Sequence, residues 1–417
     1  MEKNLSTAAT LVGQSELSRH KLLLVSAAIG LTTSMNVALF YSLGSFIGPL
    51  QAEFGWDRGS ISFAATLLTC GIFIFGPVVG RLCDRYGAAK VGSLSLVAHG
   101  LGLIVIAGVV NSLPLLWGGY FLIAMLGVGS TPIVLARPIA SAFDKQRGLA
   151  IGIAMTGAGL AGYWVPKAVT AAISSMGWRA GYLALALAAL IAAPLVWFGF
   201  RPYDRNSPRA ARSEPKGSKS LHKTPLNNIA FWIAASLSFT MALGIGGTIV
   251  HLIPLFRDMG ADPKAAASLA SVIGISSAVA RLLIGTCLDR FPAPIVSCVV
   301  LALGASGIAV LLFGGLGFAL WAVVLIGFLL GAELDLLAYL ASRLFDARVF
   351  ASVYGWIYGI YAIGFGISPF IIGGIRDRTG NYDVSMIASI ACLGLAAAIA
   401  LGTSSQMPGR RDDAQLQ

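Results

Sequence analysis

Charge is what this chain has least of. Asp, Glu, Lys and Arg make up 11% of its 417 residues, against about 25% in a soluble domain, which excludes a water-soluble core-and-surface design. Histidine is scarcer still, with four in the whole chain. The sequence has no His-Glu metal motif and no paired catalytic carboxylates, so a membrane-embedded enzyme would lack its chemistry; neither enzymatic activity nor a metal or cofactor is expected. It carries no glycine-rich nucleotide-binding loop, which disfavours transport driven by ATP. The five cysteines, Cys70, Cys83, Cys287, Cys298 and Cys392, are scattered through or beside apolar segments. They read as small packing residues, not as a disulfide framework or a metal set. The first twenty residues lack the apolar core and cleavage site of a signal peptide, so the first apolar run is expected to be retained as an anchor.

What remains is apolar sequence in long runs. Hydrophobic residues make up 57% of the chain, and 50 residues are glycine. A spanning helix needs about 20 mainly apolar residues. Twelve runs meet that length, at 22–49, 59–80, 89–110, 114–141, 148–173, 180–200, 228–255, 265–287, 294–313, 316–342, 350–374 and 384–403. The fold class expected is therefore an all-α integral membrane protein with twelve transmembrane helices in two six-helix halves. The halves cover 22–200 and 228–403, with a tail over 1–21, a basic linker over 201–227 and a tail over 404–417. Four prolines in the linker, Pro202, Pro208, Pro215 and Pro225, argue against a continuous helix there.

The net charge of +11 would raise the question of nucleic acid in a soluble protein; here its location answers the question. Nineteen of the 29 basic residues fall on the side of the termini and linker. Six fall on the other: Arg58, Arg179, Arg257, Lys264, Arg376 and Arg378. This positive-inside bias places both termini in the cytosol, with a bacterial-type inner membrane as the expected setting, and no nucleic-acid partner is expected.

The two halves echo one another. Gly80-Arg81-Leu82-Cys83-Asp84-Arg85 returns as Gly285-Thr286-Cys287-Leu288-Asp289-Arg290, Phe143-Asp144 as Phe345-Asp346, and Pro166 as Pro369, at offsets of 205, 202 and 203. Nearly constant offsets imply a duplication, and parallel repeats of this kind hold their site between the halves near the midplane. Gly148, Gly152, Thr156 and Gly159 line one face of the fifth run, a small-residue face on which helices approach closely and slide. Asp84, Arg85, Asp289 and Arg290, at helix ends, suit gating contacts that break as the halves rock, with Asp144 and Asp346 as acceptors for the arginines.

Ionisable residues inside apolar runs are costly, and each is a functional candidate. Arg281 lies eight positions before Asp289, about 12 Å from the helix end at 1.5 Å per residue and so close to mid-membrane. A guanidinium fork matches a carboxylate bidentately, which suits an organic anion; the alternative is an internal ion pair. Glu333 and Asp335 sit near the middle of the tenth run. Two residues apart, they do not share a face, and Asp335 is grouped with Tyr339. A carboxyl in that setting suits a proton carrier. One of the pair is expected to carry the proton while the other pairs with Arg281 or Arg137. Arg137 either adds to the anion site or snorkels to the near interface. Lys167, following Tyr163-Trp164-Val165-Pro166, either attracts anions or reaches the far interface. His251 can relay a proton or simply be hydrogen-bonded. Tyr354, Tyr358 and Tyr361 follow i, i+4, i+7, an aromatic stripe that either lines the pathway or packs.

Several motifs carry a family resemblance. Gly80 to Lys90, GRLCDRYGAAK, resembles the loop after the second helix of the major facilitator superfamily. Phe54-Gly55-Trp56-Asp57-Arg58, Arg147-Gly148-Leu149-Ala150-Ile151-Gly152, Gly177-Trp178-Arg179, Val279-Ala280-Arg281 and Asp377-Arg378-Thr379-Gly380-Asn381-Tyr382 look like its monocarboxylate transporter branch, which includes bacterial members and, more distantly, the oxalate–formate antiporter. The resemblance covers essentially residues 20–403. It implies that Arg281 receives the substrate carboxylate. Animal members place an Asp four residues before that Arg, where this chain has Ser277, and a Lys in the first helix, where 22–50 carries no charge. The Lys of the antiporter's eleventh helix has no counterpart in 350–374.

Together these readings describe a secondary active transporter that imports a monocarboxylate or similar organic anion with a proton, by alternating access, and works as a monomer in the lipid bilayer. Arg281, Arg137, Lys167, Tyr163, Tyr339, Tyr358 and Tyr361 are the expected substrate contacts, and Glu333, Asp335 and His251 the proton-coupling candidates. The rivals are an exporter or a carrier of a larger solute, such as an aromatic acid or vitamin, and a receptor built on a transporter fold, which the lack of a signalling domain disfavours.

Overall fold

A computed structural model describes residues 16–143, 147–206, 228–345 and 347–403. Apolar runs with no polar partners for their own backbone have one local solution in lipid, the α-helix, because it satisfies every N–H and C=O internally. Among the described residues twelve long helical segments result, preceded by a single turn at Glu16–Arg19. We label them α1 (Lys21–Phe54), α2 (Arg58–Tyr86), α3 (Ala88–Val109), α4 (113–142), α5 (Arg147–Met176) and α6 (Trp178–Asn206). The second set is α7 (Ile229–Asp258), α8 (Pro263–Arg290), α9 (Ala293–Gly314), α10 (Ala319–Leu344), α11 (Ala347–Thr379) and α12 (Asp383–Gly402). Buried apolar side chains gather into one cluster from α1–α6, joined by Val250, and a second from α7–α12.

Two of the segments are broken where the sequence suggests continuous runs. In α1 the helix stops at Thr32 and restarts at Met35. In α4 a 3-10 turn at Val128–Ser130 is followed by short helices Pro132–Leu135 and Arg137–Ala142. Pro132 and Pro138 lack the N–H that would continue the ladder. The breaks face one another: Ser130 Oγ accepts from the Met35 N–H at 3.1 Å, and Thr32 Oγ1 donates to the Gly157 carbonyl at 2.8 Å. The α4 break thus satisfies a backbone donor freed by the α1 break, while Thr32 ties the end of the first α1 segment to α5.

A second departure is α6, which runs on to Asn206 through Pro194 and Pro202. Its last turn is held from outside. Asp204 accepts from the Ala88 and Ala89 N–H groups at 2.8 and 2.9 Å, capping α3, and the Tyr203 hydroxyl bonds His20 Nδ1 at 2.6 Å. A carboxylate at a helix N-terminus satisfies orphan donors and the helix dipole together. These contacts mark the terminal end of the bundle, where both described chain ends lie; Arg58, Asp258 and Tyr382 lie at the opposite end.

The halves meet through α2 against α11 and α5 against α8. Glycine makes both approaches possible. A Cβ on Gly373 would lie 2.7 Å from the Gly59 nitrogen, and one on Gly162 would lie 2.9 Å from the Gly274 Cα. Gly159, from the small-residue face of α5, sits against Ala278 of α8. The packing is close enough to seal one end of the bundle while leaving the centre hollow.

Candidate functional site

The polar contacts joining the halves gather at the opposite end. Arg58 of α2 grips Asp258 of α7 with both forks, at 2.9 and 2.8 Å, and donates to the Tyr382 hydroxyl at 2.8 Å. Arg376 of α11 reaches the same carboxylate at 3.0 and 3.1 Å. Asp377 accepts from the Gly59 N–H at 2.8 Å, and deeper in, Thr66 Oγ1 donates to the Gly366 carbonyl at 2.7 Å.

His251 belongs to this clamp. Its Nε2 lies 2.9 Å from the Pro369 carbonyl, which can only accept, so Nε2 carries the hydrogen. Nδ1 then accepts from the Tyr382 hydroxyl at 2.9 Å. Burial pushes that hydroxyl up to about 12, so it keeps the proton it donates. The chain Arg58 to Tyr382 to His251 to Pro369 fixes every donor direction. His251, a candidate for proton relay or for a plain hydrogen-bonded role, is thus placed in the seal, apart from the central cavity.

The clamp yields a prediction. In Asp258→Asn, Arg58, whose side chain is 11% exposed, loses its charged partner, at a cost of about 1.5–3 kcal/mol to the sealed state. Spin labels at Met176 and Lys264, at the sealed ends of α5 and α8, are expected to shift towards longer separations. An unchanged distance distribution would mean that backbone packing alone holds the seal.

Below the seal lies a cavity of about 170 Å³ between the halves. That is far more than one water needs, roughly 10–15 Å³, and below the roughly 300–1,000 Å³ of drug-sized pockets. Its walls are mostly apolar, including Phe40, Ile72, Ile249 and Phe365, and its polar groups converge from α1, α2, α5, α8, α10 and α11.

Arg281 of α8 is one of them. Its Nε points at the Gly331 carbonyl at 3.4 Å and at Asp335 Oδ2 at 3.8 Å. Both are longer than the roughly 2.7–2.9 Å of a tight charge-assisted bond. Glu333 also lines the cavity and is buried; its Oε1 accepts from the Tyr361 hydroxyl at 2.5 Å, while its Oε2 has no hydrogen-bond partner among the described residues. Asp335 sits on the other side of α10, with its side chain 42% exposed. The two carboxyls thus separate as the two-residue spacing requires. The tyrosine stripe becomes a ladder: ring centroids of Tyr354, Tyr358, Tyr361 and Phe365 follow at 6.3, 6.0 and 5.6 Å. Tyr358, Tyr361 and Phe365 face the cavity.

Other expected substrate contacts stand elsewhere. Arg137 pairs with Asp84 at the terminal end, within the first half, because the α4 break turns it toward the end of α2. Lys167 lies 3.9 Å over the Tyr163 ring, a cation–π pair along α5, and neither lines the cavity. Tyr339 packs against the core of the second half. Of the gating residues, Asp84 takes Arg137 as its partner, Arg85 lies 5.2 Å over the Tyr86 ring, and Arg290 ends α8. Asp144 and Asp346 lie outside the described residues, as does the side chain of Asp289.

Among the cavity's polar residues, Asn36, Tyr41 and Thr69 escaped the sequence reading. Asn36 follows the α1 break, and Tyr41 hydrogen-bonds Ser277 one turn before Arg281. None of the three carries charge, so nothing in composition marks them.

Twelve long helical segments among the described residues, in two packed halves sealed at one end over a mostly apolar central cavity with a few polar groups, define a membrane carrier. The family described as Major Facilitator Superfamily matches residues 29–355, and the chain belongs to it. Among similar proteins is monocarboxylate transporter 12-B of Danio rerio, 22% identical, with 88% of this chain and 83% of that protein covered. Monocarboxylate transporter 13 of Rattus norvegicus is 27% identical, covering 84% of this chain and 82% of its own. Among solved structures, a D-xylose-proton symporter superposes with a TM-score of 0.71 at 14% identity, over 93% of this chain and 96% of its own.

Proposed function

We propose that this membrane transporter imports a monocarboxylate or similar small organic anion together with a proton, by alternating access. The observation that carries the reading is the meeting of Arg281, Glu333 and Tyr361 in one small cavity between the halves. Arg281 receives the carboxylate, displacing its long contact to Asp335. Glu333 takes the proton: a buried carboxylate with one unpartnered oxygen is costly, so the neutral form is the resting one. Tyr358 and Phe365 pack the body of the solute. The positive-inside bias supports an orientation with both termini cytosolic, so that the seal formed by Arg58 and Asp258 closes the outer side. A proton travelling with the anion cancels its charge, which would otherwise work against about 2.3 kcal/mol per 100 mV. One subunit contains the whole cavity, in keeping with action as a monomer.

The test is uptake of a labelled panel of monocarboxylates, dicarboxylates and aromatic acids into proteoliposomes with an inward proton gradient. Accumulation of a short monocarboxylate that collapses with an uncoupler is the expected result. The tyrosine ladder favours a second reading, a larger aromatic acid or vitamin; preferential uptake of the aromatic acids would select it. No uptake of any acid would point to export or to an uncharged solute.

A further inference from the structure

A second polar hollow lies at the sealed end, on the far side of the clamp from the central cavity. Its volume is about 480 Å³, and it is lined by residues of α1, α2, α7 and α11, from both halves. Arg58, Arg257 and Arg376 are set against a single carboxylate, Asp258. Two of the three guanidinium groups already share that carboxylate. Arg257 has no hydrogen-bond or ion-pair partner among the described residues, although Asp258 is next to it in sequence. Its guanidinium lies over Gly48, where any Cβ would collide with Nη1. Glycine at 48 therefore keeps the space that the guanidinium occupies. Gln51, one turn beyond Gly48, spends its Oε1 on Arg58 Nε at 3.0 Å and leaves its amide group as a further donor toward the hollow.

Three guanidinium groups around one carboxylate repel one another, and an excess of two positive charges in a concave polar hollow attracts an anion. The occupant that offsets the repulsion must fit an arginine fork, as a carboxylate does. We propose that this hollow is a second binding site for a small carboxylate, centred on Arg257 and Arg376 and separate from the site at Arg281. An anion held there waits directly above the clamp. It also competes with Asp258 for Arg376, loosening a contact that keeps the end sealed. The site stands on residues distinct from those of the central cavity, so its existence does not depend on what that cavity carries.

The experiment uses the full-length protein in nanodiscs and the ¹⁹F line width of trifluoroacetate. The Arg281→Ala protein is expected to keep broadening the trifluoroacetate signal, and adding Arg257→Gln to weaken the apparent affinity by about tenfold or more. Arg257→Lys, which keeps the charge and loses the fork, is expected to fall between. Since the hollow is open to solvent, broadening should also decline as ionic strength rises. Broadening that is the same with Arg257 and with Gln at that position would overturn the proposal, as would complete loss of binding in Arg281→Ala alone. Arg257 has no partner to lose among the described residues, and an unchanged elution profile and melting temperature will show that the variant is folded. Should the reading of the central cavity fail instead, Arg281→Ala would leave binding unaltered while Arg257→Gln still reduced it.

Discussion

Arg281→Ala protein is expected to take up carboxylate about 100-fold more slowly than wild type in proteoliposomes. A hydrogen bond to a charged group contributes about 1.5–3 kcal/mol, and each 1.4 kcal/mol is tenfold, so losing a two-pronged contact accounts for a drop of that size. The arginine is poised for an incoming partner. Its contacts to Gly331 and Asp335, at 3.4 and 3.8 Å, hold it in place without saturating it. Asp335, left without its cation, still has a side chain 42% exposed, so the variant retains its fold. Arg281→Lys should give intermediate rates, because an ammonium keeps the charge and loses the planar fork. Unchanged uptake in the alanine variant would make Arg281 a structural partner of Asp335 and move the anion site elsewhere.

The second large effect concerns the energy source. In Glu333→Gln, glutamine keeps an oxygen for the Tyr361 hydroxyl but carries no titratable proton. Labelled substrate should then equilibrate without accumulating against its gradient, while exchange of labelled for unlabelled solute continues. Asp335→Asn should leave accumulation largely intact, since that side chain stands nearer water and outside the cavity lining. The opposite pair of results, accumulation surviving in Glu333→Gln and lost in Asp335→Asn, would assign the proton to Asp335.

The candidate site was legible where it carried charge. Arg281, Glu333 and Asp335 stand out because an ionisable group in an apolar run is costly, and that cost is visible in the sequence alone. The tyrosine stripe was visible as a spacing, though whether it lined the path or only packed depended on which face of α11 turns inward. Asn36, Tyr41 and Thr69, neutral and in no pattern, were invisible. Arg137, Lys167 and His251 met the same criterion of charge or titratability as Arg281, yet stand at Asp84, over Tyr163 and in the seal. A sequence reading places such a residue at a depth in the membrane; it does not place it around the helix axis relative to the other half.

The sequence alone determined the helical membrane class and the two-fold repeat. Those follow from hydrocarbon thickness, from backbone hydrogen bonding in lipid and from duplicated motifs, all local or strictly periodic properties. The tertiary structure decided the rest. It paired the breaks in α1 and α4, carried α6 past two prolines to cap α3, and joined Arg58 to Asp258 across 200 positions. It also left Glu333 with one oxygen unpartnered in a cavity. These outcomes depend on the rotation and depth of one helix against another, fixed by close contacts such as Gly373 on Gly59 and Gly162 on Gly274, which no single run of residues encodes.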